Sequence, residues 1–232
     1  MGKECVLFFV KWPEKGKVKT RLAREIGSDR AVNLYRCFIL DLADKLKKLS
    51  QDVILCYSPK NAESLFRSWL GEQFAYFPQS DGDLGMRMKK SFDQAFENGY
   101  KQAVLIGSDC PDLPEEFLKQ AFTELKHADA VIGPAVDGGY WLIGFQVRSF
   151  YPPVFEGVSW STETVFAETM KKFSQKKINA AVLPKWMDID TITSLFEWYE
   201  RYEPSSLRAS HTWTYMKSII GLPIFCDRGN KK

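Results

Sequence analysis

The stretch AVLIGSDCPDLP, residues 103–114, decides how the rest of the chain is read. Four apolar residues run into Gly107, and two aspartates and two prolines follow within seven positions. A continuous apolar run bounded by turn residues reads as a strand covered on both faces, the kind found in parallel sheets. Asp109 and Asp112 then stand at the mouth of that strand. A carboxylate there either caps a turn or holds a cation.

Working outward, the same pattern recurs. CVLFFV (5–10), DVILCY (52–57), FAYF (74–77), DAVIG (129–133) and YWLIGF (140–145) all read as strands. Between them lie helical periodicities: a long helix opened by Ser28, with Val32, Tyr35, Ile39, Leu42 and Leu46 on one face, then AESLFRSWL, a helix over roughly 86–97, and one opening at Pro114. A helix from Thr162, a strand near AAVL (180–183) and the loop KWMDIDT follow. Such alternation predicts an α/β fold, a three-layer α/β/α sandwich around a mixed, mainly parallel sheet, in a single domain spanning 1–232. Residues 201–232 form a C-terminal extension, either a helix packed on the body or an extended tail at the interface of a homodimer.

Composition narrows the function classes. The 232 residues are 45% hydrophobic and 26% charged, as in a globular protein with a sizeable core. No apolar run approaches the ~18–20 residues needed to span a bilayer, and the short run after the N-terminus lacks a cleavage site, so the expected location is cytoplasmic, without membrane partners. Five cysteines without CxxC spacing and only two histidines, His127 and His211, argue against disulfide frameworks, zinc sites and His-based triads. A net charge of +3 is too slight to suggest nucleic-acid binding. Its distribution is more telling. Lys3, Lys11, Lys15, Lys17, Lys19, Arg21 and Arg24 crowd the first 24 residues against Glu4 and Glu14 alone, which suggests a local anionic ligand.

In open α/β sheets ligands bind beyond the carboxyl ends of the strands. The polar motifs fall there: KWPEKGKVKTR after the first strand, SDGDLG after the third, GSDCPDLP after the fourth, GPAVDGGYW and MDIDT after later ones. There is no P-loop and no GxGxxG, which disfavours a dehydrogenase. Lys11, Lys19 and Arg21 flank a turn that either wraps a phosphate chain or is a solvated charge run. Asp109 is read as a ligand of Mg²⁺ or Mn²⁺ or as a cap, with Asp188 or Asp190 as a second carboxylate. Asp112 reads as a turn or cap residue, as do Asp81, Asp83 and Asp137 beside glycines. Gly138 and Gly139 serve a close approach or a tight turn. Tyr140 and Trp141 read as core, and Ser161 as an N-cap for the following helix, with substrate contact by Ser161 and Thr162 as the functional alternative.

Taken in order over residues 6–195, KWPEKGKVKTRLAREIG, GDLGMRM, IGSDCPDLP, IGPAVDGGYWLIG, VSWSTETV and MDIDT resemble the GT-A-type nucleotide-diphospho-sugar transferases assigned to arsenosugar biosynthesis. They are also similar to molybdenum-cofactor and phospholactate guanylyltransferases. The resemblance implies a Rossmann-like fold and a metal-dependent transferase that takes a nucleotide or nucleotide-sugar donor and a small-molecule acceptor. It implies that Lys11, Lys19, Arg21 and Ser108 hold phosphates, and that Asp109 with Asp190 or Asp188 binds the metal. It places Gly82, Asp83 and Gly85 near the base or ribose, and Asp137, Gly138 and Gly139 at the acceptor. Lys19, Arg21 and Asp137 would be catalytic, Asp137 as the base. The aspartates of SDCPD stand three apart, where GT-A glycosyltransferases usually have D-x-D. Nucleotidyl transfer with pyrophosphate release, and nucleotide binding without turnover, are the alternatives.

Overall fold

The computed structural model describes residues 3–201 and 210–221. Strands are β1 (Glu4–Lys11), β2 (Asp52–Ser58), β3 (Ala75–Pro78), β4 (Gln102–Ile106), β5 (Ala130–Pro134), β6 (Tyr140–Gln146) and β7 (Ala180–Val182). Helices are α1 (Thr20–Ile26), α2 (Ser28–Leu46), α3 (Glu63–Leu70), α4 (Leu84–Glu97), α5 (Glu115–Glu124), α6 (Val165–Gln175), α7 (Ile192–Arg201) and α8 (His211–Ile219). The seven strands form one sheet in the order β3-β2-β1-β4-β6-β5-β7. All pairings are parallel except those of β6, which runs antiparallel to both β4 and β5. The expected mixed, mainly parallel sheet is therefore observed.

Side chains of β1 alternate between two cores because successive residues of a strand point to opposite faces. Val6, Phe8 and Val10 pack with α1, α2, α3, α5, α7 and α8. Cys5, Leu7 and Phe9 pack under α4 and α6, against Phe92, Phe145, Phe155 and Phe173. Each fully buried phenylalanine contributes on the order of 1.5–3 kcal/mol, so the six-element face and the two-element aromatic face both hold the sheet firmly. The crossover from β3 through β2 to β1 and then outward to β4 creates a topological switch point between β1 and β4. Their C-terminal ends open the crevice in which such sheets bind ligands.

Several boundaries differ from expectation. Ser28 is the first helical residue of α2, and Gly27 occupies the cap position at φ 87° with no side-chain cap. The basic loop after β1 itself contains a helix, α1, and a further helix, α7, follows MDIDT. Neither was anticipated, since seven and ten residues of mixed polarity give weak periodicity. Ser161 does not cap α6. It adopts φ 68° within a loop, and the helix begins four residues later at Val165. Of the C-terminal extension, His211–Ile219 is a helix on the body: buried Asp41 of α2 accepts from the backbone N–H of His211 (2.7 Å) and Thr212 (2.9 Å). Residues 202–209 and 222–232, with the expected dimer-interface tail, lie outside the described residues. No described helix is long and apolar enough to cross a membrane.

Candidate active site at the sheet switch point

Tyr35 of α2 joins the two strands that flank the crevice. Its hydroxyl accepts from the backbone N–H of Lys11, at the end of β1, at 3.1 Å. It also shares a hydrogen bond with Ser108 Oγ, just past β4, at 2.8 Å. Burial pushes the phenol up to about 12, so it stays a neutral tie. Ser108 is itself buried. Its hydroxyl anchors the loop that carries Asp109.

Asp109 and Asp190, 81 residues apart in the chain, meet on Lys19. The ammonium lies 2.6 Å from Asp109 Oδ1, 2.7 Å from Asp190 Oδ1 and 2.6 Å from the carbonyl oxygen of Ile189. Backbone pairing brings the segments together: the N–H of Ile189 donates to Asp109 O at 2.9 Å, and Ala135 bridges Trp186 in parallel, extending the sheet edge toward MDIDT. Lys19 has a side-chain exposure of only 3% and a left-handed backbone (φ 46°, ψ 43°), uncommon for a residue with a Cβ. Such strain persists where surrounding contacts enforce it. Burial disfavours its charge, but Asp109 and Asp190 outweigh that and hold the ammonium above the ordinary lysine value. In turn burial, with repulsion from Asp190, raises Asp109 against the pull of Lys19, while at Asp190 the attraction of Lys19, aided by Arg21, outweighs burial and lowers it.

A lysine ammonium has three donors, and here all three are taken. The expectation that Lys19 reaches a ligand phosphate therefore does not match its geometry; the residue ties together the two acidic segments. Lys11, Arg21 and the neighbouring Lys17 line the cleft, are exposed, and make no ion pair or side-chain hydrogen bond with the described residues. These are the cations open to an anionic ligand. Lys17 was passed over in the sequence because nothing distinguishes it from Lys15, which pairs with Asp29 instead.

The cleft measures about 800 Å³. It is lined by Lys11, Lys19, Arg21, Gly82, Asp83, Ser108, Asp109, Asp137, Gly139, Ser161, Thr162, Asp188 and Asp190, so nearly every anticipated residue does converge. Two do not reach it. Gly85 is buried in α4, where a Cβ would stand 2.5 Å from Phe155 O and 2.7 Å from the Trp160 ring. Gly138, at φ 91°, passes so close to Glu163 that a Cβ would lie 2.1 Å from its carbonyl oxygen. Both glycines serve backbone and ring packing behind the wall and touch no ligand space. Asp83 caps α4 through Met86 N (2.8 Å), and Asp137 Oδ1 accepts from Gly139 N (2.9 Å) in a tight turn. Asp112 Oδ1 accepts from Trp186 Nε1 at 3.2 Å. Trp141 is buried as expected although it also borders the cleft, and half-buried Tyr140, read as core, lines the cleft with Trp160, Arg87 and Gln79, to which no role was given. Aromatic and amide residues give no sequence signal separating cleft from core.

The acidic groups exceed the one buried ammonium. Asp188, beside Asp137, Asp190 and Asp109, is pushed up to about 6 by burial and by those like charges, Asp137 first. Asp109 and Asp190 remain 42% and 39% exposed as side chains and give Lys19 only Oδ1 each. Among the described residues no three His, Cys, Asp or Glu side chains converge tightly enough to form a complete metal-ligand set. A hard divalent cation asks for less: one or two carboxylates, with water and ligand phosphate completing its shell. The excess negative charge and the open Oδ2 atoms fit such an ion.

Fold and site together define a protein of the nucleotide-diphospho-sugar transferase and cytidylyltransferase type of fold. The chain belongs to the family described as "Uncharacterized protein conserved in bacteria (DUF2064)", whose profile matches residues 42–162. It is similar to a crystal structure described as a "putative nucleotide-diphospho-sugar transferase" from Desulfovibrio desulfuricans G20, with 44% identity, a TM-score of 0.90, and coverage of 94% of this chain and 95% of that one. The resemblance read from the motifs is thus borne out. More distant likenesses, of fold alone, are to 4-diphosphocytidyl-2C-methyl-D-erythritol synthase from Anaerococcus prevotii DSM 20548 (12% identity, TM-score 0.56, 87% and 99% coverage) and a cytidylyltransferase from Leptospira borgpetersenii (16%, 0.53, 94% and 95%). No curated protein matches the chain.

Proposed function

We propose that this protein is a divalent-metal-dependent transferase that moves a sugar from a nucleotide diphosphate to a small-molecule acceptor. The observation that carries the reading is the opposition, across one cleft at the β1/β4 switch point, of unpaired cations on the β1 loop and surplus carboxylates from three other segments. The similarity to the Desulfovibrio protein supports the donor class. In this reading Lys11, Lys17 and Arg21 bind the donor phosphates, Arg21 offering a bidentate fork and the lysines point charges. Asp109 and Asp190, with Asp188 beside them, hold a magnesium or manganese ion, and Lys19 orients the first two. When bound, the ion supplies charge neutralisation at the departing diphosphate. Asp137, exposed beside Asp188, takes the proton of an acceptor hydroxyl.

One observation favours a second reading. Three unpaired cations beside a phosphate position also suit departure of pyrophosphate in nucleotidyl transfer, where charge builds on the leaving group. Product analysis separates the two. Nucleoside diphosphate released from a sugar nucleotide supports sugar transfer, pyrophosphate released from a nucleoside triphosphate supports nucleotidyl transfer, and metal-independent nucleotide binding without turnover would overturn both.

A further inference from the structure

The cleft is electrostatically two-ended. At one end stand Lys11, Lys17 and Arg21. The other end is bounded by α4, the start of β6 and the loop 156–164, and its chemistry is opposite. Asp137 and Glu163 line the cleft there and are both exposed. Asp83 adds a third carboxylate, occupied as the α4 cap. Arg87, the one cation on this wall among the described residues, donates its Nε to the carbonyl oxygen of Gly82 at 3.0 Å, and its single charge is outnumbered by the three carboxylates. The balance at this end is therefore negative.

The same wall is apolar in the middle. Trp160 and Tyr140 stand edge to face, with centroids 6.4 Å apart and planes at 82°. The Tyr140 hydroxyl meets the Met88 thioether at 3.8 Å, and Leu84 on the same wall is 44% exposed. This surface is deliberately held. Any side chain at Gly85 would strike the Trp160 ring, and any at Gly138 would strike the backbone of Glu163. Ser161, between Trp160 and Thr162, takes the left-handed conformation at φ 68° without being glycine. Two sterically obligatory glycines and one strained residue thus fix an aromatic platform ringed by carboxylates.

Resting on the transferase reading above, we infer that this half of the cleft is an acceptor subsite for a hydroxylated ring compound without negative charge, of the sugar or cyclitol type. The C–H face of such a ring lies on an aromatic platform, and its hydroxyls donate to Asp137 and Glu163. A phosphorylated or carboxylated acceptor would face like charges in a partly desolvated cleft, where each such pair is costly. This disfavours a nucleotidyl transfer whose acceptor is a phosphorylated small molecule.

Ligand-observed saturation-transfer NMR tests this with matched pairs: the methyl glycosides of glucose, galactose and mannose against their 6-phosphates. Samples contain the full chain with Mn²⁺ replaced by diamagnetic Mg²⁺, and nucleoside diphosphates are titrated in parallel. At least one neutral glycoside is expected to bind, and its phosphate about tenfold more weakly. Asp137→Asn and Glu163→Gln should narrow that ratio at least about threefold. Trp160→Leu should lose the glycoside signal, while Trp160→Phe, which keeps the aromatic face and the packing, should retain much of it. Tighter binding of the phosphates, an unchanged ratio in both charge variants, or no binding by any neutral glycoside while nucleotides bind would overturn the inference and leave the transferase reading standing. Failure of all nucleotides to bind would instead remove that reading.

Discussion

Replacing Lys19 by methionine probes the centre of the site. Methionine keeps the unbranched stem but ends one atom short, where the ammonium stood, and the backbone keeps its φ of 46°, so the strain cancels and the loss is essentially that of the ammonium. What it leaves behind is two carboxylates and the Ile189 carbonyl, formerly bonded at 2.6, 2.7 and 2.6 Å. Removing one partner of a buried ion pair costs ~3–5 kcal/mol. The carboxylates here are 42% and 39% exposed and rehydrate in part, so a loss of about 2–3 kcal/mol is expected. For a chain of this size that corresponds to a fall in Tm of roughly 5–10 °C. The sign of the pH dependence is the sharper mark. Without the ammonium, burial and mutual repulsion raise both carboxyl groups above their unfolded values, so the variant recovers stability as pH falls through the folded values. Wild type keeps the Lys19 contribution throughout, because its folded and unfolded lysine values both lie far above this range. The gap between the two proteins should therefore narrow from pH 7.5 to 5 in calorimetric or denaturant unfolding. A loss under about 0.5 kcal/mol, or a gap that does not change with pH, would refute the claim that Lys19 neutralises this pair.

Further outcomes are expected. Asp109→Asn should abolish the Mn²⁺-dependent part of nucleotide affinity in calorimetric titration while leaving the circular dichroism unchanged; equal affinity with and without Mn²⁺ in wild type would remove the metal role. Lys11→Ala should weaken nucleoside diphosphates by ~1.5–3 kcal/mol, the range of a charge-assisted hydrogen bond, without lowering Tm, and leave nucleosides unaffected. Burial and the neighbouring carboxylates, Asp137 first, push Asp188 up to about 6 in the fold, above an ordinary aspartate. The folded state therefore binds the extra proton, and the metal-free protein should gain about 1 kcal/mol between pH 7 and 5, a gain that Asp188→Asn removes. Gly85→Ala should cost ~1–3 kcal/mol by overpacking and should alter Trp160 fluorescence.

Much of this molecule was legible in one dimension. Apolar runs such as CVLFFV and AVLIG announce buried parallel strands, because only strands covered on both faces lack polar alternation. Alternation with helices then prescribes the layered sheet and puts the polar loops at its carboxyl edge, so Lys11, Arg21, Asp109, Asp137 and Asp190 could be named beforehand. The antiparallel course of β6 lay beyond such reading, since strand direction depends on pairing partners. So did the roles of Lys19, Gly85 and Gly138. A lysine in a basic run looks like a phosphate ligand until two distant carboxylates and a carbonyl are seen to saturate its donors. A glycine looks like a ligand contact until a neighbouring ring or carbonyl occupies the space of its missing Cβ. Local sequence sets periodicity, charge and turn chemistry; which groups face one another across a cleft, and which are already spent, is decided by contacts between residues far apart in the chain.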